Sequence, residues 1–167
     1  LIDGHLPSVA EREAFAAEVK PLRVVPPSVA ALLPAIAASS QTVMEGVRSA
    51  MSMVGAAEGY QPTLDIDAAE RRRNALQMCA VMPSLIMAIH RLQQGLEVIE
   101  PRMDLGYGAN YLWMLTGEKF DHDKGRAVEQ YQITTIDHGF NASTFTARVI
   151  TSSGADVAAA VVGGMGA

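Results

Sequence analysis

Apolar residues recur at helical spacing along almost the whole chain, and no run alternates apolar and polar residues as a strand would. The clearest stretch runs from Gln41 to Ala57. Positions i, i+3, i+4 and i+7 share one face of a helix, so the pattern predicts an apolar stripe there: Val43, Met44, Val47, Ala50, Met51 and Val54. This periodicity disfavours a sheet-based fold and predicts an all-α domain of roughly seven to nine helices.

Local signals place the first helices. Ser8, with Glu11 three positions later, predicts a capping box at the start of the first helix. Pro21 ends that helix. Pro27 begins a short second helix, which Pro34 breaks or kinks because proline removes a backbone donor.

A long apolar segment follows in the middle of the chain. Either Asp65 or Asp67 can cap its first turn, and Gly95 ends it. Pro83 falls inside the apolar run, so the segment is either one long kinked helix or two abutting helices. Cys79 lies among apolar neighbours and is predicted to be a small buried residue.

The second half of the chain continues the helical pattern. A helix over 109–117 closes at Gly117, and a helix over 121–136 places four residues near one face: Val128, Tyr131, Gln132 and Thr135. Residues 137–141 form a turn. Asn141 or Ser143 then caps a helix through Ile150, and a last helix of small residues follows.

Composition excludes several classes of protein. The chain is 49% hydrophobic and 19% charged, which rules out intrinsic disorder, and its net charge of -5 argues against nucleic acid or an anionic membrane as partner. The single cysteine excludes a disulfide framework and a thiolate zinc site. We expect no apolar stretch of the roughly 18 residues that a membrane span needs. We therefore expect a cytoplasmic protein.

Motifs for metal and nucleotide chemistry are absent from the sequence. No histidine pairs at helical spacing with another histidine or a well-placed carboxylate, so no metal site is expected. Neither a glycine-rich phosphate loop nor a nucleophile elbow is present. The basic run Arg71–Arg73 is either a solvated helix face or a holder of an anionic ligand such as CoA, and the first reading is the more usual for charges on a helix.

The segment from Asp137 to Thr144 is the part of the sequence that most suggests a ligand-binding site. His138 lies in a turn directly before a helix, whose first amides and partial positive charge suit a carboxylate or an enolate. The imidazole would add a directed hydrogen bond at that place. Asn141 and Ser143 could reach such a ligand, although capping alone also explains both residues.

Four motifs of the chain are distinctive when taken together: Asp137-His138-Gly139-Phe140-Asn141-Ala142-Ser143-Thr144-Phe145-Thr146-Ala147-Arg148-Val149, Ala109-Asn110-Tyr111-Leu112-Trp113-Met114-Leu115-Thr116-Gly117, Met82-Pro83-Ser84 and Leu6-Pro7-Ser8. In order and spacing, they resemble the motifs of the citrate synthase family. The resemblance implies an all-α fold in which residues 1–167 are part of the large helical domain. The family's N-terminal segment and its small domain are expected to be missing.

The resemblance also implies roles for residues. His138 matches the family's oxaloacetate-binding histidine, Asn141 a neighbour that lines the same site, and Ser143 a hydroxyl that supports a catalytic histidine. The catalytic histidines and aspartate, and the arginines that clamp oxaloacetate, are expected beyond Ala167. The 167 residues alone are therefore expected to be inactive.

The implied activity is citrate synthesis from acetyl-CoA and oxaloacetate in the tricarboxylic acid cycle, by a homodimer that needs no metal or cofactor. A carboxylate would deprotonate acetyl-CoA while a histidine stabilises the enol. Two alternatives stay open: 2-methylcitrate synthesis from propionyl-CoA, and a non-catalytic all-α dimerisation module.

Overall fold

Helices form the whole framework of the protein. The computed structural model describes residues 4–137 and 139–167, and these residues contain no strand. This confirms the all-α prediction. In chain order the helices are α1 (Val9–Val19), a 3-10 turn (Lys20–Arg23), α2 (Pro27–Ala30), α3 (Leu33–Ser39), α4 (Val43–Ala57), α5 (Ala68–Gln93), α6 (Tyr107–Thr116), α7 (His122–Thr135), α8 (Ala142–Ser152) and α9 (Val157–Gly166).

Side-chain caps begin most of the longer helices where the sequence predicts them. Ser8 and Glu11 form the expected reciprocal capping box of α1. Asp67, rather than Asp65, caps α5 by accepting from the backbone N–H of Glu70 at 2.8 Å. These contacts satisfy helix donors that would otherwise have no partner.

Helix α5 is the centre of the core. It runs without interruption through Pro83, as one helix rather than two, and packs against α3, α4, α6, α9 and the 3-10 turn. Its buried side chains meet those of its neighbours in one cluster that includes Val29, Leu33, Val47, Met51, Val54, Met78, Val81, Leu85, Ile89 and Ala158.

The length and hydropathy of α5 correct one expectation from the sequence. An 18-residue window of this 26-residue helix has a mean hydropathy of 1.4, which is enough for a membrane span by length and composition. Within the folded chain, however, 56% of that window is buried. The apolar surface of α5 is thus used largely by the other helices, as in a central core helix.

Two predicted core positions are wrong, and one residue of a predicted helix face is exposed. Met44 is 52% exposed, because contacts at the start of α4 run through Gly46, whose Cβ position would lie 2.8 Å from Ile89 Cγ2. Tyr131 is 70% exposed, on the side of α7 away from α6. Cys79 is exposed on the outer side of α5. In each case the neighbours that decide burial are distant in sequence, so local periodicity does not identify them.

Small residues let α9 approach two other helices closely. Gly55 of α4 faces Ala158 so tightly that a side chain on the glycine would overlap the alanine methyl group. Gly163 lies against Ile150 of α8 in the same way. The small-residue pattern of α9 therefore serves packing within the chain.

Candidate functional site

The turn between α7 and α8 holds the predicted site. After α7 ends at Thr135, the Asp137 carboxylate accepts a hydrogen bond from the backbone N–H of Gly139 at 2.9 Å. Gly139 has φ +91°, a left-handed conformation that favours glycine. The Gly139 carbonyl then accepts from the Asn141 N–H at 3.0 Å. These bonds shape the backbone directly before α8.

Asn141 is the N-cap of α8. Its Oδ1 atom accepts from the backbone N–H of Thr144 at 2.7 Å, and its backbone is extended, as expected of a cap. This decides between the two capping candidates in favour of Asn141. The side chain is half-buried, so it is anchored at the turn rather than free in solvent.

Ser143 lies in the first turn of α8 and is half-buried. Its hydroxyl makes no hydrogen bond within residues 4–137 and 139–167, and neither do the backbone N–H groups of Ala142 and Ser143 in that part of the chain. Two first-turn donors thus remain for an acceptor at the start of α8. Such donors, with the helix dipole, suit an anionic group.

His138, the central residue of the sequence prediction, lies outside the described residues. Its neighbours are described: Phe140 packs edge-on against Phe145, with ring centroids 6.4 Å apart. The Arg148 guanidinium lies 5.5 Å from the Phe140 ring centroid. Phe140 is nevertheless 68% exposed, so an aromatic and cationic surface flanks the turn.

Helix α9 fixes the position of α8 beneath this turn. A Cβ on Gly164 would lie 3.3 Å from the Ser143 carbonyl oxygen and 3.5 Å from the Ala147 Cβ atom. The backbones can approach this closely because Gly164 has no side chain. The first turn of α8, which carries Ser143, therefore rests directly on α9.

Comparisons with known proteins agree with this assembly of motifs. A family model described as citrate synthase, C-terminal domain, matches residues 1–167. The chain belongs to the citrate synthase family.

Relatives and solved structures give the extent of the match. The chain is 40% identical over 164 residues to a 2-methylcitrate synthase from Mycobacterium tuberculosis, covering 98% of this chain and 40% of that protein. It is 32% identical to a citrate synthase from Deinococcus radiodurans, covering 100% of this chain and 44% of that protein. A crystal structure of citrate synthase from Pyrobaculum aerophilum superposes with a TM-score of 0.87 at 29% identity, covering 98% of this chain and 42% of that one. The chain thus spans less than half the length of the curated relatives it matches.

In this member of the citrate synthase family, two arginines of the basic run on α5 bind other parts of the same chain. Arg71 donates to the carbonyl oxygens of Thr63 (2.9 Å) and Ile66 (2.8 Å), and Arg72 forms an ion pair with Glu18 of α1. These contacts anchor α1 and the preceding loop to α5. They favour the structural reading of the run over the anion-binding one.

Other candidate groups do not assemble into a second centre. Among the described residues, no group of three or more His, Cys, Asp or Glu side chains could hold a metal ion. Burial of the Cys79 thiol by neighbouring atoms raises its pKa, although the residue is exposed overall. A raised pKa disfavours the thiolate that a nucleophile needs.

One contact near the site is not apparent from local sequence patterns. The Glu129 carboxylate of α7 accepts from the backbone N–H of Gly108 in the first turn of α6, at 3.0 Å. The N-cap of α6 is Gly106, which has no side chain to do this. The only hint in the sequence is the glycine at the N-cap. Because it has no side chain, the first backbone N–H groups of α6 need an acceptor from another part of the chain.

Proposed function

We propose that the protein acts as a citrate synthase-type enzyme, condensing an acyl-CoA with oxaloacetate. Residues 1–167 would form most of the large helical domain, with the small domain and the catalytic groups outside this range. The observation that carries the proposal is the start of α8, where Asn141 is the cap and the amides of Ala142 and Ser143 are available to an acceptor. That helix start lies within a chain matched throughout by the family model.

In the proposed mechanism, a carboxylate outside these residues removes a proton from the acyl methyl or methylene group while a histidine stabilises the enol. The enol carbon then bonds to the oxaloacetate carbonyl carbon, whose oxygen takes up a proton. Water hydrolyses the resulting thioester and releases CoA and the tricarboxylate. The reaction needs no metal or prosthetic group in this proposal.

Within that mechanism, the residues of this chain bind and orient oxaloacetate. His138 would donate a hydrogen bond to oxaloacetate, and Asn141 would line the same site. Ser143 would support a catalytic histidine through its hydroxyl. The amides at the start of α8 would add the partial positive charge that a dicarboxylate needs.

Two acyl donors are candidates. Acetyl-CoA would give citrate in the tricarboxylic acid cycle, and propionyl-CoA would give 2-methylcitrate. Sequence identity favours neither donor, because the chain is 40% identical to a 2-methylcitrate synthase and 41% identical, over 125 residues, to a citrate synthase. Steady-state turnover of the intact protein with each donor, followed by CoA release, separates them through their kcat/KM values.

The same assay tests the third candidate, a non-catalytic dimerisation module. Absence of CoA release from the intact protein with either donor would favour the module. We further propose that residues 1–167 alone release no CoA, because the acid, the base and the arginine clamp lie outside them. CoA release by the purified 167-residue protein would contradict this.

We also propose a cytoplasmic homodimer. The apolar residues left exposed on α8, Phe145 (58%) and Val149 (50%), support a further contact for this helix. Sedimentation velocity of the intact protein at micromolar concentration is expected to give the mass of two copies. A monomer at that concentration would contradict the proposal.

A further inference from the structure

Helix α7 has a single extensive packing partner among the described helices, and that partner is α6. Large apolar side chains are exposed at the end of α7 and directly after it: Tyr131, Ile133 and Ile136 are 70%, 63% and 72% exposed. The position of α7 therefore depends mainly on its contacts with α6. Since α7 leads directly into the segment before α8, whatever fixes α7 also fixes the start of that segment.

Two glycines make the contact between these helices. A Cβ on Gly108 of α6 would overlap the Gly125 carbonyl oxygen. A Cβ on Gly125 would lie 3.1 Å from both the Cβ and the backbone nitrogen of Ala109. Both glycines are buried, so the backbones touch directly. Backbone contact alone sets the distance between the helices but does not stop them from sliding or rotating.

Glu129 supplies the directional contact. Its carboxylate accepts from the Gly108 N–H at 3.0 Å, and the Cβ position of Gly106 would lie only 3.3 Å from the same oxygen. The carboxylate thus caps α6 from a neighbouring helix, where a negative charge is favoured by the helix dipole. One hydrogen bond therefore ties the middle of α7 to the first turn of α6.

A buried cation, Arg23, lies near the start of α6 and acts on the same contact. Arg23 is 6% exposed, and its guanidinium donates to the Leu105 carbonyl oxygen at 2.9 Å, directly before α6. Burial lowers the pKa of Arg23, while the charges of Tyr107 and Glu129 act in the opposite direction. Arg23 thus fixes the segment that leads to the Glu129 contact and attracts its carboxylate.

The segment between α7 and α8 joins two separately packed helix pairs. Helix α7 packs on α6, whereas α8 packs closely on α9. Asp137 follows Glu129 by eight residues, about 12 Å along a helix. A shift of α7 would therefore move Asp137 relative to the capped start of α8.

We propose that Glu129 is a positioning residue for oxaloacetate binding: by fixing α7 to the start of α6, it sets where the segment between α7 and α8 enters α8. This inference rests on the proposed function, in which that segment binds oxaloacetate. Glu129 itself need not touch the substrate. Its role is to hold the end of α7 in a fixed position relative to the start of α8.

Three variants of the intact protein test the proposal. Glu129→Ala removes the acceptor, and Glu129→Gln keeps an oxygen acceptor but loses the charge. Gln130→Ala is the matched control, since Gln130 is the exposed neighbour on α7 and has no hydrogen bond to other described side chains. Backbone hydrogen–deuterium exchange is measured over 137–145 and, for comparison, over α4 and α5.

Loss of the cap in Glu129→Ala is expected to speed exchange over 137–145 by about five- to tenfold, given the usual strength of such a contact. Glu129→Gln should give a smaller increase and Gln130→Ala none. Equal acceleration over α4 and α5 would mean general destabilisation and would overturn the proposal. So would exchange in Glu129→Ala that matches the control.

Kinetics of the same variants give a second, independent result. The KM for oxaloacetate is expected to rise about five- to tenfold in Glu129→Ala, with the KM for the acyl-CoA changed less than about twofold. Glu129→Gln should recover most of the loss. An unchanged KM for oxaloacetate would overturn the positioning role. A wild-type protein without condensing activity would instead contradict the proposed function, and the exchange result would still decide whether Glu129 orders the segment between α7 and α8.

Discussion

Gly55 of α4 and Ala158 of α9 face each other with no room for a side chain on the glycine. Both residues are buried, and Val54 and Met51 beside them belong to the main core cluster. The contact joins the first half of the chain to its last helix. The close packing of α9 against the core therefore requires that residue 55 be a glycine, which has no side chain.

Replacing this glycine is expected to destabilise the protein. Gly55→Ala gains about 1 kcal/mol of helix propensity, but the added methyl overlaps Ala158 and overpacking typically costs about 1–3 kcal/mol. We expect a net loss in the free energy of unfolding, measured by urea denaturation. The double variant Gly55→Ala with Ala158→Gly moves the methyl across the contact and should recover part of the loss. A single variant as stable as the wild type would show that α9 shifts without cost.

The reactivity of Cys79 tests the correction made to its predicted burial. It is the only cysteine in the sequence and it is exposed, so one thiol should react with a disulfide reagent in the native protein. Burial of the thiol by neighbouring atoms raises its pKa, so the reaction at neutral pH should be slower than that of a small free thiol. The rate should rise as the pH increases. A native protein that reacts only after denaturant is added would contradict the exposed position.

Acid stability should depend on the ion pair between Arg102 and Asp104, whose closest atoms are 2.8 Å apart. The hydrogen bonds from Arg102 lower the pKa of Asp104 to about 2. Because the folded-state pKa lies below the unfolded value, the pair stabilises the fold above the unfolded pKa. Its contribution is lost as the pH falls from about 4 towards 2.

Thermal unfolding between pH 5.5 and 3 measures this effect, followed by the fluorescence of Trp113, on which Arg102 stacks at 5.3 Å from the ring centroid. The melting temperature of Asp104→Asn should fall less steeply towards acid pH than that of the wild type. The control is Asp65→Asn, which removes an exposed carboxylate that makes no ion pair within the described chain. Identical slopes for wild type and Asp104→Asn would contradict the assignment.

Local sequence signals predict helix ends well here, and tertiary contacts poorly. The capping boxes and glycine stops act within four residues, so Ser8 and Gly117 lie as expected, and Asp67 is one of the two caps that the sequence offers for α5. The exposure of Met44 and Tyr131 depends on which helix packs beside each residue. Periodicity shows which residues share a face of a helix, but it does not show which other helix packs on that face.

The same limit applies to the site. The turn and its cap could be predicted because Asp137, Gly139 and Asn141 act on adjacent backbone groups. The contact from Glu129 to Gly108 spans 21 residues and joins two helices, so no local pattern shows it. Arg23 reaches Leu105 across 82 residues for the same reason.

Asn141 offers the sharpest test of the candidate site, because its capping and binding roles respond differently to substitution. Asn141→Ala removes the acceptor for the Thr144 N–H and should cost about 1 kcal/mol in the free energy of unfolding. Asn141→Asp keeps a capping oxygen and places a negative charge where the helix dipole favours it. Its stability should therefore match or exceed that of the wild type.

The KM for oxaloacetate should rank the Asn141 variants differently from their stability. If Asn141 lines a dicarboxylate site, as proposed, the carboxylate of Asn141→Asp repels the substrate and the KM for oxaloacetate rises, while stability is kept. Asn141→Ser, another good cap without added charge, is the matched control and should raise this KM less. Steady-state kinetics and urea unfolding of the same intact variants give both quantities. A KM in Asn141→Asp equal to that of the wild type would mean that Asn141 serves only as the cap of α8.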